Sequence, residues 1–270
     1  VSLRVCVAGV TGWTGKAVAQ GICAAKDMTL VSAVSRSAAG TSLKSLGLEV
    51  ETDCAVAVAA TLEEALSQPV DVLVDYTSAA AVKDHTLLAI NKGISVIVGS
   101  SGLTADDFAA IEKLAISKNV GVIACGNFSI TAALAKHFSL LAAEYLPSWE
   151  IIDYAGATKM DAPSGTAREL AECLETVRQN KLGREIKDVV GDSAARGAQI
   201  KGTPVHSLRL PGFVLSFETI FGLPEERLTV RHDAGTSALP YVDGTLLALR
   251  RVGEVKGLVR GLDQLMFGKR

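Results

Sequence analysis

Short β-branched runs alternate with helix patterns from Leu3 to Ala124, and no other feature restricts the possible fold as much. Residues 3–8, 29–34, 70–77, 94–98 and 120–124 read as buried strands, with helix patterns over 16–25, 61–67, 79–92 and 104–117. Residues 41–60 are polar, then β-rich around 54–58. Strands separated by crossovers of helix length build an open parallel sheet with right-handed connections, which is an α/β fold of the Rossmann type. Ligands of such sheets lie beyond the carboxyl ends of the strands. Those ends carry residues 9–15, 35–36, 75–77, 99–102 and 126–127, all rich in small or polar side chains.

The first strand runs into Gly9-Val10-Thr11-Gly12-Trp13-Thr14-Gly15, which opens the first helix. Glycines there let the backbone approach a pyrophosphate seated on a helix N-terminus. The spacing is G-x-x-G-x-x-G rather than G-x-G-x-x-G, so the place of the turn between strand and helix carries the reading. After the second strand comes Ser35-Arg36-Ser37, with no carboxylate to hold a ribose 2′-hydroxyl. A guanidinium and two hydroxyls suit a 2′-phosphate. NADPH is therefore expected in preference to NADH.

After a helix pattern at 131–144 the alternation stops. A strand at 149–154 leads to Lys159-Met160-Asp161-Ala162-Pro163-Ser164-Gly165-Thr166-Ala167, which opens a helix over 167–179. A Pro-Ser-Gly-Thr turn at a helix start offers amides, hydroxyls and a positive dipole end, and Lys159 adds a full charge. A small carboxylate substrate is expected there. Later β segments at 204–210, 214–221 and 228–232 suggest a mixed, largely antiparallel sheet in a C-terminal α+β domain, with closing helices at 239–252 and 258–266. The expected division is residues 1–128 as the dinucleotide-binding domain, with 239–270 packing back onto it. Residues 129–238 form the substrate-binding domain, to which the resemblance given below adds oligomerisation.

Composition narrows the classes. Formal net charge is −2 over 270 residues, which gives no electrostatic case for nucleic acid. No apolar run reaches the roughly 18 residues that a membrane helix needs. Five scattered cysteines without metal spacing suggest reduced, buried thiols, and no metal site is expected. The residues as given open on a strand, so the expected compartment is the cytoplasm, or a plastid stroma if a transit peptide has been removed.

Taken together, Gly9–Gly15, Val74-Asp75-Tyr76-Thr77, Gly99-Ser100-Ser101-Gly102, Asn127-Phe128-Ser129, the Lys159–Ala167 run, Arg196-Gly197, His206-Ser207-Leu208-Arg209 and Arg231-His232-Asp233 make the chain resemble the 4-hydroxy-tetrahydrodipicolinate (dihydrodipicolinate) reductases over essentially its whole length. The resemblance implies a Rossmann domain, a mixed α/β domain and a homotetramer or homodimer built through the C-terminal sheets. It also implies hydride transfer from NAD(P)H to a cyclic imine dicarboxylate in lysine biosynthesis. Carried onto this sequence, Lys159, Ser164, Gly165 and Thr166 hold a substrate carboxylate. Gly12, Trp13 and Thr14 take the pyrophosphate, Gly9 and Thr11 also bind the cofactor, and Arg36 takes the 2′-phosphate. Gly99, Ser101 and Gly102 line the nicotinamide side, the loop at Gly126 and Asn127 closes it, and Tyr76, Thr77 and Phe128 also bind the cofactor.

Two departures bear on chemistry. The family carries a His pair before the Lys, one of them the proposed proton donor; here the stretch is Tyr154-Ala155-Gly156-Ala157-Thr158. A later His-His-Glu run is replaced by Leu215-Ser216-Phe217-Glu218. The remaining histidines, His85, His137, His206 and His232, read as surface or structural residues. Candidates for the proton are then Lys159, a water held by Thr158 or Ser164, or Tyr154. Lys159 is the first choice because it is both anchor and acid; the other reading is that it only balances a carboxylate. Three functions stay open: the lysine-pathway reductase, a relative acting on a different cyclic imine, and a non-catalytic NADPH-binding sensor or assembly protein.

Overall fold

The computed structural model describes residues 2–48 and 57–268. The chain forms two compact units, one of Val1–Ile130 with Ala238–Arg270 and the other of Thr131–Ser237.

In the first unit, β1 (Leu3–Ala8) runs into α1 (Trp13–Ala24), followed by β2 (Met28–Val34). The short β3 (Val58–Ala59) and the single-turn α2 (Leu62–Ala65) come next. Cys54 lies outside the described residues. The regular alternation then resumes with β4 (Val72–Asp75), α3 (Val82–Asn91), β5 (Ser95–Val98), α4 (Ala105–Lys118) and β6 (Gly121–Ala124). Helix starts follow local chemistry: Thr61 with Glu64, and Thr104 with Asp107, each form a reciprocal capping box. The strands are buried on both faces, so Leu73, Val96 and Val122 meet Ile90 and Ile111 in one core.

The second unit contains α5 (Ile130–Tyr145) from its second residue onward, β7 (Trp149–Ala155), α6 (Gly165–Val177), β8 (Ala198–Ile200), β9 (Thr203–Arg209), β10 (Leu215–Leu223) and β11 (Glu226–Ala234). Its sheet has the order β11-β10-β7-β9-β8. It is mixed: β7 runs parallel to β9, and the other neighbours are antiparallel. Alternation turns Ile151, Phe217 and Phe221 toward Leu170 and Leu174 of α6. Asp153 holds a core-facing position on β7 between Ile151 and Ala155 and is 1% exposed.

The chain then returns to the first unit with α7 (Leu239–Arg251), β12 (Gly257–Arg260) and α8 (Leu262–Phe267). This corrects the expected closing helix over 258–266. Gly257 (φ 92) and Gly261 (φ 96) break the helical path, and Leu258-Val259 pair with Val122-Ile123. The outcome is a seven-stranded parallel sheet of order β12-β6-β5-β4-β1-β2-β3. Without β12 it has the doubly wound dinucleotide-fold order.

Candidate active site

A cleft of about 940 Å³ lies beyond the carboxyl ends of β1, β2, β3 and β4. Gly9 makes its floor possible. With φ at 84°, a Cβ there would sit 2.3 Å from the Tyr76 carbonyl oxygen. Gly12 caps α1 with no side-chain bond, and the first intrahelical bond is Lys16 N–H to the Gly12 carbonyl. The amides of Trp13, Thr14 and Gly15 thus precede the helical ladder, at the positive end of a twelve-residue helix. Thr11 Oγ1 lies 2.9 Å from Ser35 Oγ, which is 3.2 Å from Ser37 Oγ, so the first and second strand ends are tied by hydroxyls. Arg36 is exposed on the wall of the cleft, and Glu63 of α2 also lines it.

The fourth strand end is organised by Asp75, which is fully buried. Its carboxylate accepts from Thr77 N–H (3.0 Å), Thr77 Oγ1 (2.7 Å) and Ser100 Oγ (2.7 Å). His85 Nδ1 lies 2.8 Å from Asp75 Oδ2, and a carboxylate that only accepts puts the proton on Nδ1. Burial works to raise the Asp75 pKa, but the bonds from His85, Ser100 and Thr77 outweigh it, and the net direction is downward. Tyr76 is fixed beside it, with its hydroxyl 2.7 Å from Thr245 Oγ1 and its ring edge-on to Phe128.

Among the residues expected to bind cofactor, Gly9, Thr11, Gly12, Arg36, Tyr76 and Thr77 come together on this cleft, and Trp13 and Thr14 start the helix beside it. Gly99, Ser101, Gly102, Gly126, Asn127 and Phe128 do not line it. Gly99 packs flat on Tyr76, where a Cβ would come 2.1 Å from the ring. Asn127 Oδ1 accepts from Ser129 N–H, and Phe128 is buried.

In the second unit, Ser164 caps α6, and the Lys159 ammonium is 2.6 Å from Asp161. That ammonium pulls the Asp161 pKa down. Sequence reading passed over the partner that holds Ser164, the buried Asp153. It accepts from Ser164 N–H (2.8 Å), Ser164 Oγ (2.7 Å) and Arg209 Nη2 (2.7 Å). The signal for it was a charged residue at an inward position of an alternating strand. For His85 no such signal existed, since its partner lies ten residues back around a turn. Near the missing imidazoles, Tyr154 donates to Glu218 Oε1 (2.8 Å), and the Arg231 guanidinium lies 5.0 Å from the Tyr154 ring centre. His206 pairs with Glu150 at 2.7 Å, and His232 is buried against Phe217, its pKa lowered by burial.

The first-unit cleft fits a dinucleotide on its own geometry. Its glycine turn leaves no room for a Cβ, its helix N-terminus has no capping side chain, and its walls carry hydroxyls and a guanidinium. These features, on a sheet of this order, place the chain among the NAD(P)H-dependent oxidoreductases.

Comparison with known proteins narrows that class. Residues 3–128 match the family described as "Dihydrodipicolinate reductase, N-terminus" and residues 128–266 that described as "Dihydrodipicolinate reductase, C-terminus". The 4-hydroxy-tetrahydrodipicolinate reductase of Moorella thermoacetica is 36% identical over 271 residues, covering 98% of both chains. That of Geobacillus kaustophilus is 39% identical over 196 residues, covering 73% of this chain and 74% of its own. A solved structure of dipicolinate-bound dihydrodipicolinate reductase from Paenisporosarcina sp. TG-14 superposes with a TM-score of 0.85 at 30% identity, covering 98% of this chain and all of the other. The chain belongs to the dihydrodipicolinate reductase family. Among the described residues, no helix is long and apolar enough to cross a membrane, and no cluster of His, Cys, Asp or Glu could hold a metal ion.

Proposed function

We propose that this chain reduces 4-hydroxy-tetrahydrodipicolinate to tetrahydrodipicolinate with NADPH in preference to NADH. The observation that carries the reading is the start of α6. The amides of Gly165 and Thr166 precede its first intrahelical bond, from Arg168 N–H to Ser164 carbonyl. A Cβ built on Gly165 meets nothing within 4 Å, so the space in front of the turn is open to a ligand. Two amides and a helix dipole suit a carboxylate, and Lys159 supplies the charge to balance it.

The bound nicotinamide supplies the hydride. The amides of the 9–15 turn hold the pyrophosphate, and Arg36, Ser35 and Ser37 hold the 2′-phosphate. Gly99, Ser101, Gly102, Gly126, Asn127 and Phe128 are assigned to the nicotinamide end, where Tyr76 and Phe128 form the stiff support. Lys159 holds a substrate carboxylate and delivers the proton from Nζ, with Asp161 keeping the ammonium in place. The second unit, through its sheet, joins copies into a homotetramer or homodimer.

Oxidation of NADPH by purified protein, started with 4-hydroxy-tetrahydrodipicolinate, tests the reaction; no turnover above background would refute it. Arg36→Ala tests the cofactor reading. A KM for NADPH raised by about tenfold or more, with the KM for NADH unchanged, is expected from losing a charge-assisted phosphate contact.

One observation favours a second reading, a cyclic imine with a less charged substituent. A Cβ on Gly156 would lie 3.3 Å from the Phe213 carbonyl oxygen, and the Phe213 ring lies tilted against Tyr154 with ring centres 5.0 Å apart. The positions where relatives carry imidazoles are therefore small and closed in by an apolar ring. Faster turnover of monocarboxylate imines than of the dicarboxylate would establish it.

A further inference from the structure

We infer that Asp153 is a positioning residue for substrate binding. It holds Ser164 so that the Gly165 and Thr166 amides, and not the Ser164 hydroxyl, receive the substrate carboxylate. The inference deepens the proposed reading of this turn and rests on it.

Asp153 is 1% exposed, and the hydrogen bonds to its carboxylate come from two segments, the Ser164 turn and strand β9. Oδ1 accepts the Ser164 hydroxyl at 2.7 Å. Oδ2 accepts Ser164 N–H at 2.8 Å, Arg209 Nη2 at 2.7 Å and Ser207 Oγ at 3.2 Å. Arg209 Nη2 also donates to the Asp161 carbonyl at 2.7 Å, and Nη1 to the Asp153 carbonyl at 3.2 Å. One buried ion pair thus grips both ends of the 161–164 loop, Asp161 by its carbonyl and Ser164 by its amide and hydroxyl.

A hydroxyl has one proton to give. That of Ser164 goes to Asp153, while its oxygen accepts from Ala167 N–H at 3.3 Å to cap α6. Nothing is left for it to donate to a substrate anion. The Gly165 and Thr166 amides have no partner among the described residues, and the space beside Gly165 is open. Arg209 has a second effect. A bare carboxylate under an anion site would repel the ligand, and the guanidinium on Asp153 neutralises it.

The test compares Asp153→Asn, Ser164→Ala and wild type by steady-state kinetics, by binding of pyridine-2,6-dicarboxylate, and by hydrogen exchange of the 161–168 segment. Asp153→Asn should raise the substrate KM and the dicarboxylate Kd by about 10- to 100-fold, as loss of alignment at a binding turn does. Its KM for NADPH should stay within about twofold, and 161–168 should exchange faster. Ser164→Ala keeps the amide bond to Asp153, so its KM should rise by less than about fivefold. A Ser164→Ala loss as large as that of Asp153→Asn would make the hydroxyl a direct substrate donor and overturn the inference. So would an Asp153→Asn enzyme with unchanged KM and exchange. If Asp153→Asn does not fold, Arg209→Lys keeps the charge without the planar fork. It should show the same split in milder form, and identity with wild type would overturn the inference. If wild type neither turns over the substrate nor binds the dicarboxylate, the functional reading fails by itself. Exchange of 161–168 then separates the two failures: faster exchange in the variant shows that Asp153 holds the turn but for no such substrate, which overturns the substrate part alone, and unchanged exchange overturns the whole inference.

Discussion

In the proposed carboxylate turn Lys159 is the candidate acid, its ammonium 2.6 Å from Asp161. The Ser164 proton is spent on Asp153, and Asp161 is held ionised by Lys159 itself. Replacing Lys159 with Met keeps the stem and removes the ammonium. Turnover should then fall by about 10²- to 10⁴-fold, the usual worth of a placed acid, with the KM for NADPH unchanged. A rise confined to the substrate KM would show instead that Lys159 binds without donating. Asp75 makes a different kind of claim. Burial of the Asp75 carboxylate is outweighed by bonds from His85, Ser100 and Thr77, which leave its folded pKa below the unfolded value of about 3.9. Its stabilisation is therefore complete above that unfolded value and is lost as pH falls through the folded one. Asp75→Asn should destabilise the protein by roughly 1–3 kcal/mol at neutral pH, because one of its two acceptor oxygens becomes an amide N–H₂ facing buried donors. The melting temperatures of variant and wild type should converge in acid, and a constant gap across the pH range would contradict the linkage. The proposed anion turn was legible as a candidate because Lys159 and Ser164-Gly165-Thr166 lie close in sequence at a helix start, where a cation and free amides suit one ligand. Asp75 and Asp153 escaped because their ring and guanidinium partners, His85 and Arg209, lie 10 and 56 residues away, and a lone polar residue in an apolar run says nothing about where such partners are.

Secondary-structure elements were readable wherever an apolar run was long enough to show a period. The strands β1, β2, β4, β5 and β6 are β-branched runs buried on both faces, and α4 announces itself with Thr104 and Asp107 at its start. The strand β12 was not readable. Two apolar residues between glycines have no period of their own, and they are a strand only because β6 offers an edge to pair with. The same local limit hides why α7 contains a glycine. A Cβ at Gly244 would lie 1.8 Å from the Phe128 carbonyl oxygen and 2.9 Å from Leu262 Cδ2, so this helix sits against backbone. Its neighbour Thr245 lies 2.7 Å from the Tyr76 hydroxyl, so the same close approach fixes the cleft support. Gly244→Ala should cost about 1–3 kcal/mol by overpacking, outweighing the gain in helix propensity. Urea denaturation checks it. An unchanged or higher midpoint would mean that α7 can move away without loss.

At the scale of the whole molecule, the sheet of the second unit has two unlike faces. One packs Ile151, Phe217 and Phe221 under α6. By alternation the other carries Glu150, Ile152, Glu218 and Ile220, with Ile152 opposite Glu218 and Ile220 opposite Glu150. Both isoleucines remain half-buried in a single chain. Around them the charges are already paired within the chain: Glu150 with Arg196 and His206, Glu218 with Tyr154 and Arg231. A face of apolar residues between internally satisfied charges can be covered by a second copy without stranding a charge, which is what an association between identical chains requires. The expected species in light scattering is accordingly a tetramer or dimer of the full chain. Ile220→Arg places an unpaired cation on that face and should shift the protein to smaller species at the same concentration. Affinity for NADPH should hold, because the residues of the dinucleotide cleft all belong to the first unit. A wild-type protein that scatters as a monomer would remove the proposed assembly. An Ile220→Arg variant that keeps the wild-type mass would place the interface on another surface.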